Sequence, residues 1–132
     1  MRTVSKTVIG VDFGTQSARA VLVNAENGEI IYSCRKEYPY NSTPVPAIDC
    51  AENLPCATDY EMTLYELLRN VIPEEYRKTV AGICVDATSL TMVLLAEDGR
   101  ALSELDGWSE AAHARVKLWK YHRAQEKADE AL

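Results

Sequence analysis

The sequence predicts an α/β fold built on a mixed sheet, in which three antiparallel strands precede a helix and a parallel strand follows it. Three observations predict this class. Three β-rich runs are joined by short turns, one later segment has an apolar face at helical spacing, and a continuous apolar run comes after it. A chain of 132 residues with 47% hydrophobic residues is typical of one ordinary globular domain.

The first three strands form a predicted antiparallel meander. They cover residues 7–12, 18–23 and 29–38. Residues 24–28 end in Asn-Gly, a pair that tolerates the positive φ angles of tight hairpin turns. On the third strand Ile30, Tyr32 and Cys34 alternate onto one face, as expected of a half-buried strand.

A helix is predicted between a capping box at residues 58–61 and Pro73. One face of this helix carries Tyr60, Leu64, Leu67, Leu68 and Val71. Spacings of four, seven, eight and eleven residues place these side chains on a single stripe. The preceding residues 39–55 hold four of the five prolines and show no periodicity, which predicts an ordered loop.

Residues 80–85 form a continuous apolar run, which predicts a parallel strand buried on both faces. A further strand is predicted at residues 91–95, turned by residues 97–100. The chain from about residue 109 onward contains no Pro or Gly, so we expect it to be helical.

Charge and hydropathy exclude several classes of partner. Fourteen Lys and Arg against twenty Asp and Glu give a formal net charge of -6. An acidic balance disfavours broad contact with nucleic-acid phosphates or anionic lipid. No apolar run approaches the roughly 20 residues that span a bilayer, and the start of the chain lacks a signal-peptide core. We therefore expect a cytoplasmic protein with no nucleic-acid or membrane partner.

The four cysteines do not form a CxxC pair, so a zinc site of the usual spacing is unsupported. Cys34 and Cys84 lie in predicted strands and are expected to pack as small hydrophobes. Cys50 and Cys56 flank the predicted loop and could pair or bind a metal. A redox or metal protein is therefore the most distant functional alternative.

The residues after the first strand have the chemistry of a phosphate site. Asp12 ends the strand, Gly14 allows close backbone approach, and the hydroxyls of Thr15 and Ser17 follow. Backbone N–H groups and hydroxyls in such a turn suit phosphate oxygens, and a carboxylate suits Mg²⁺. Arg19 could add a charge-assisted contact. An ordinary hairpin turn is the alternative interpretation.

Three segments resemble one family. Residues 12–19, Asp-Phe-Gly-Thr-Gln-Ser-Ala-Arg, resemble the DxGTxSxR phosphate loop of the FGGY carbohydrate kinases, which belong to the actin-like ATPase superfamily. Residues 82–92 resemble the GxxVDxTxxTM stretch of the ribulokinase branch, and residues 116–122 resemble its VKLWKxH helix. The resemblance implies that residues 1–132 are an amino-terminal part of the first domain, of actin-like (ribonuclease H-like) fold, with the second domain absent.

The resemblance also implies a function. The full-length kinase would use ATP and Mg²⁺ to phosphorylate L-ribulose, a pentulose, at a terminal hydroxyl, and could be a homodimer. Residue by residue, the implied sites are Asp12 for Mg²⁺, Gly14, Thr15, Ser17 and Arg19 for the ATP phosphates, and Ala87, Thr88 and Ser89 for the sugar. Gln16 stands where some relatives have a hydroxyl residue.

Catalysis is not expected of this chain alone, since the family's general base is an aspartate much later in the sequence. Asp86 is instead expected to cap its own loop. Two further hypotheses stay open. The full-length protein could phosphorylate another pentulose or polyol, of the xylulose or glycerol type, or the chain could be a non-catalytic module that binds nucleotide or a partner.

Overall fold

The computed structural model describes residues 4–39, 55–109, 111–119 and 125–131. The chain divides into two compact units, the first comprising Met1–Asn41 with Thr58–Thr88 and the second Ser42–Ala57 with Ser89–Leu132. Except at its two ends, the predicted loop at 39–55 lies outside the described residues, and Cys50 lies there with it. Within the described ranges, no helix is long and apolar enough to cross a membrane.

A four-stranded mixed sheet forms the first unit, with the strand order β3-β2-β1-β4. The strands are β1 Thr7–Phe13, β2 Ser17–Asn24, β3 Ile30–Glu37 and β4 Val80–Ala87, and the helix α1, Ala57–Val71, precedes β4. The pairs β1–β2 and β2–β3 are antiparallel, while β1–β4 is parallel. This arrangement confirms the predicted α/β class and the predicted order of antiparallel and parallel strands.

The turn between β2 and β3 closes as the Asn-Gly pair predicts. Gly28 has a φ of +76°, in the left-handed region that glycine adopts without steric cost. Beyond the turn, Cys34 packs against the core, but Ile30 and Tyr32 are exposed. The predicted apolar face of this strand is therefore only partly correct, because a register shift in its pairing with β2 places Ile30 and Cys34 on different faces.

Helix α1 packs on one face of the sheet, mainly against β1 and β2. The core of the first unit consists of Ile9, Val11, Ala18, Ala20, Leu22, Tyr38, Leu67 and Val71. Around it pack the partly buried Tyr60, Leu64 and Leu68, which confirms the predicted stripe. The helix begins at Ala57, so Thr58 lies in its first turn and not at its cap, where it was predicted.

Strand β4 lies where the apolar run predicts it, but it is not buried. Ile83 is 54% exposed and Val85 is 56% exposed. In the described part of the chain β4 has a neighbouring strand on one side only, and the core forms around β1, β2 and α1. Cys84 is consequently exposed, contrary to prediction, whereas partial burial raises the pKa of the Cys34 thiol.

In the described part of the second unit, β-type backbone pairing occurs as isolated bridges between single residues. Met92 bridges Lys117 and Leu95 bridges Ala101. The strand predicted at residues 91–95 is therefore wrong, because its residues pair with two different parts of the chain. The predicted turn that follows is confirmed, since Gly99 has a φ of +85° and its amide donates to the carbonyl of Ala96.

The continuous helix predicted from residue 109 is also wrong. The described part holds a 3₁₀ turn at Ala112–Ala114 and a short helix α2 at Gln125–Glu130. Between them residues 116–118 are not helical, and Lys117 forms an isolated bridge with Met92. Backbone hydrogen bonds between Lys117 and Met92 fix this segment, and tertiary contacts of this kind override local helix propensity.

Tyr60 carries a hydroxyl that is buried without a hydrogen-bond partner among the described residues. Its ring packs between Phe13 and Tyr38, with centroid distances of 5.7 and 5.0 Å. Burial, and secondly the carboxylate of Asp59, raises the pKa of Tyr60 to about 12 from an ordinary 10.0. The folded state therefore holds the neutral phenol more strongly than the unfolded chain does.

We expect Tyr60→Phe to reduce the loss of stability at alkaline pH. The wild-type contribution is complete below pH 10, and it is lost as the pH rises towards 12, because the unfolded chain releases the proton first. At pH 7 the variant should equal or exceed the wild type by up to about 1 kcal/mol, since an unpaired buried hydroxyl is costly. Urea unfolding at pH 7, 10 and 11 measures both effects, with the exposed Tyr65→Phe as control. An unchanged pH profile would contradict the prediction.

Candidate phosphate-binding site

The turn between β1 and β2 forms one side of an open cleft. The amide of Gly14 donates to the carbonyl of Ser17 at 3.0 Å, which closes the turn. A Cβ atom at Gly14 would lie 3.0 Å from the same oxygen, so the turn requires glycine or must shift. The residues lining the cleft are Gly14, Thr15, Gln16, Ser17, Arg19 and Arg35.

Tyr38 holds this turn from the core side. Its hydroxyl donates to the carbonyl of Gly14 at 2.9 Å, and its amide donates to the carbonyl of Gln16 at 3.2 Å. The side chain is buried, and burial is the main cause that raises the pKa of Tyr38 above its ordinary value. The hydroxyl thus stays protonated and can donate to the turn. The carbonyl oxygens of Gly14, Gln16 and Ser17 therefore have hydrogen-bond donors within the protein, which favours a cleft lined by hydrogen-bond donors.

A row of four charged side chains crosses the sheet beside the turn. The strand register pairs Asp86 with Asp12, Asp12 with Arg19, and Arg19 with Arg35. Side chains at paired positions lie on the same face of a sheet, which here is the face opposite α1. Two carboxylates therefore stand beside two guanidinium groups at one end of the sheet.

The central ion pair of this row is short and solvent-exposed. Arg19 contacts Asp12 at 2.7 Å, with Asp12 44% exposed and Arg19 66% exposed. Exposed pairs of this kind add little to stability, typically about 0–1 kcal/mol. The charges are consequently accessible to a ligand, and the carboxylates lie where a cation could join an anion in the cleft.

Asp86 caps its own loop, as predicted. Its Oδ1 accepts a hydrogen bond from the Ala87 amide at 2.9 Å. The amide of Thr88 donates to the carbonyl of Phe13 at 3.0 Å, which places the end of β4 beside the turn between β1 and β2. Of the three predicted sugar-binding residues, Ala87 and Thr88 belong to the first unit and Ser89 belongs to the second.

The side chains near the cleft provide only part of a binding site for a hard cation. No group of three or more His, Cys, Asp and Glu side chains that could hold a metal ion occurs within the described residues. Asp12 and Asp86 offer exposed carboxylate oxygens at neighbouring positions. Mg²⁺ prefers oxygen ligands and is commonly held by one or two carboxylates together with phosphate and water, so this pair fits Mg²⁺ bound along with a phosphate.

The structure brings together the residues predicted for phosphate and adds two that the sequence analysis missed. Gly14, Thr15, Ser17 and Arg19 line one cleft, with Asp12 against Arg19. The missed residues are Arg35 and Tyr38, which arrive from β3 and from the residue after it. The Asn-Gly turn alone could not predict Arg35, because the register of β2 and β3 shifts by one residue just after the turn and only this shift brings Arg35 opposite Arg19.

Sequence comparison relates the chain to bacterial proteins. It is 39% identical over 126 residues to Ribulokinase 1 of Staphylococcus saprophyticus and 34% identical over 134 residues to the ribulokinase of Mycolicibacterium smegmatis. The matches cover 91% and 94% of this chain but only 23% and 24% of those proteins. The chain thus spans about a quarter of the length of these curated relatives. No protein-family model matches it.

Comparison with solved structures relates the fold to sugar kinases. The chain superposes on a gluconate kinase and on a ligand-bound xylulose kinase, both from Lactobacillus acidophilus, each with a TM-score of 0.64. Each match covers 96% of this chain and 22% of the other, at 19% sequence identity. At this identity the likeness concerns the fold alone.

Proposed function

We propose, from the homology of this chain to the ribulokinases of the FGGY carbohydrate kinase family, that it forms the amino-terminal part of the first domain of such a kinase. The whole protein would transfer the γ-phosphoryl group of ATP to a terminal hydroxyl of L-ribulose. The observation that carries the proposal is the glycine turn beside paired arginines and paired carboxylates, on a segment related to ribulokinases.

This chain would contribute the phosphate-binding part of the active site, the phosphate cradle, which is the cleft at the turn between β1 and β2. Polar groups of Thr15, the Ser17 hydroxyl and the Arg19 guanidinium would bind the β- and γ-phosphate oxygens, and Gly14, whose own amide closes the turn, would allow their close approach. Phosphoryl transfer depends mainly on positioning and on neutralising charge, and donors fixed by the Tyr38 contact serve both purposes.

Mg²⁺ would be held at Asp12, with Asp86 as its neighbour across the strand pair. When bound, the ion neutralises phosphate charge. In the free protein Asp12 is paired with Arg19, so polyphosphate would give this arginine a new partner while the carboxylate turns to the cation. The pair therefore holds both groups in place before the ligand arrives.

The sugar would lie beyond the carboxyl end of β4, near Ala87, Thr88 and Ser89. Ligands of open α/β sheets bind at the carboxyl ends of strands. The hydrogen bond from the Thr88 amide to the Phe13 carbonyl holds this end of β4 next to the turn between β1 and β2. The identity of the sugar rests on the relatives' names, and a kinase for another pentulose or polyol is the nearest alternative.

The proposal also includes a cytoplasmic location and a homodimeric full-length protein, both carried by the family resemblance.

A chimera tests the proposal. Residues 4–131 replace the matching quarter of S. saprophyticus Ribulokinase 1, and a coupled assay measures ADP release with MgATP and L-ribulose. We expect turnover by the chimera and by the parent ribulokinase, and none by the 132-residue chain, which would lack the catalytic base. D-xylulose, gluconate and glycerol are the comparison substrates.

The outcomes separate the hypotheses. A folded chimera that releases ADP fastest with another substrate would replace ribulose by that substrate. A folded chimera that binds MgATP without turnover would favour the nucleotide-binding module. Turnover by the 132-residue chain alone would contradict the absence of the base and would direct attention to Asp86.

A further inference from the structure

Arg35 stands beside the phosphate cradle but lies outside the three motif segments at residues 12–19, 82–92 and 116–122. It lies on β3, lines the same cleft as Gly14 and Ser17, and pairs in register with Arg19. We propose that Arg35 is a second phosphate-binding cation of this site, and that it also orients the Ser17 hydroxyl. The inference rests on the proposed phosphate-binding function.

The first support is the pairing of like charges. Arg19 and Arg35 face each other across β2 and β3 on one side of the sheet. Like charges at directly opposed positions destabilise a sheet. An anion between the two guanidinium groups would turn this repulsion into attraction, so the pair matches a multiply charged anion such as a polyphosphate.

The second support is the difference between the two arginines in their own ion pairs. Arg19 is held by Asp12 at 2.7 Å, whereas Arg35 reaches the exposed carboxylate of Glu37 only at 3.7 Å. A contact of 3.7 Å between side chains that are 59% and 81% exposed is weak. Arg35 is therefore the more available cation of the pair for an incoming phosphate.

The third support is the hydrogen bond from Arg35 Nε to Ser17 Oγ, at 2.9 Å. A hydroxyl has one donor and two acceptor positions. When Ser17 accepts from Arg35, its own proton can be donated to an anion, and the charged donor strengthens that second bond by polarisation. Arg35 thus acts on phosphate directly and through Ser17.

Calorimetric titration of the 132-residue chain with tripolyphosphate at fixed salt concentration tests this inference. We expect Arg35→Gln to weaken binding about tenfold, at the lower end of what a charge-assisted hydrogen bond contributes. Arg35→Lys should recover part of the loss, because it keeps the charge but not the fork of donors. Arg77→Gln, which removes one exposed charge near the opposite end of β4, is the matched control and should bind as the wild type does.

Two readouts separate binding from a purely structural role. The dependence of the binding constant on salt should become shallower in Arg35→Gln and stay unchanged in Arg77→Gln, since one phosphate contact is lost. A double-mutant cycle of Arg35→Gln with Ser17→Ala should be non-additive, because the two side chains act as a unit.

The outcomes distinguish this inference from the proposed function. If the wild-type chain binds tripolyphosphate and Arg35→Gln binds it with the same affinity, the role of Arg35 is overturned, whereas the phosphate cradle is not. A folded wild-type chain that does not bind tripolyphosphate would overturn the phosphate cradle, and the role of Arg35 with it. Additive losses in the cycle would overturn the orientation of Ser17 but keep Arg35 as a direct contact.

Discussion

Leu22→Ala is expected to lower the free energy of unfolding by about 2–5 kcal/mol. Leu22 lies on the second strand from one sheet edge, is 0% exposed, and belongs to the core between the sheet and α1. Truncation removes apolar contacts and leaves a cavity. The cavity cannot close, because β2 is held by hydrogen bonds to β1 on one side and to β3 on the other. A domain of this size commonly has a total stability of about 5–15 kcal/mol, so the variant should lose a large fraction of it.

Urea unfolding followed by far-ultraviolet circular dichroism measures this loss. Ile30→Ala is the matched control, since Ile30 lies on the adjacent strand but is 61% exposed. We expect the control to lose less than about 1 kcal/mol, because most of its side chain is in water in both states. Equal losses in the two variants would show that the core does not lie between the sheet and α1.

Gly14→Ala is expected to weaken tripolyphosphate binding at least tenfold. The added Cβ would lie 3.0 Å from the Ser17 carbonyl, a backbone atom that can give way only if the turn moves. Moving the turn breaks the geometry that the Gly14 amide and the Tyr38 hydroxyl maintain. A hydrogen bond to a charged group contributes about 1.5–3 kcal/mol, so one misplaced donor accounts for a tenfold loss or more.

Gly82→Ala is the control for this substitution. Gly82 also lies at the sheet, but a Cβ there meets nothing within 4 Å. We expect it to leave tripolyphosphate binding unchanged, and circular dichroism should show both variants folded. If a folded Gly14→Ala bound as tightly as the wild type, the turn would not be the phosphate cradle.

Local signals predicted the sheet well. Alternating apolar residues, the Asn-Gly turn and the helical stripe each act over a few neighbouring residues, and all three elements that follow from them are present. The turn between β1 and β2 was predictable for the same reason, since Asp12, Gly14 and Ser17 lie within six residues of one another. Local chemistry fixes local geometry.

Long-range contacts decided what the sequence analysis got wrong. The apolar composition of β4 predicts burial, but composition does not tell that, among the described residues, β4 has a neighbouring strand on one side only. The segment from Val116 to Leu118 has no helix-breaking residue, yet it is not helical, because its backbone pairs with Met92. Helix propensity amounts to at most about 1 kcal/mol per residue for most side chains, less than tertiary pairing and burial supply together.

The sequence by itself determined the α/β class, the order of the strands along the chain, and the turn with its aspartate, glycine and hydroxyls. Only the tertiary structure decided which distant side chains reach that turn. Tyr38 supports it from the core and Arg35 joins Arg19 across the sheet, although 16 to 24 residues separate each from its partner. Neither contact has a local signature, because both depend on the register of strands and on burial, which only the folded chain defines.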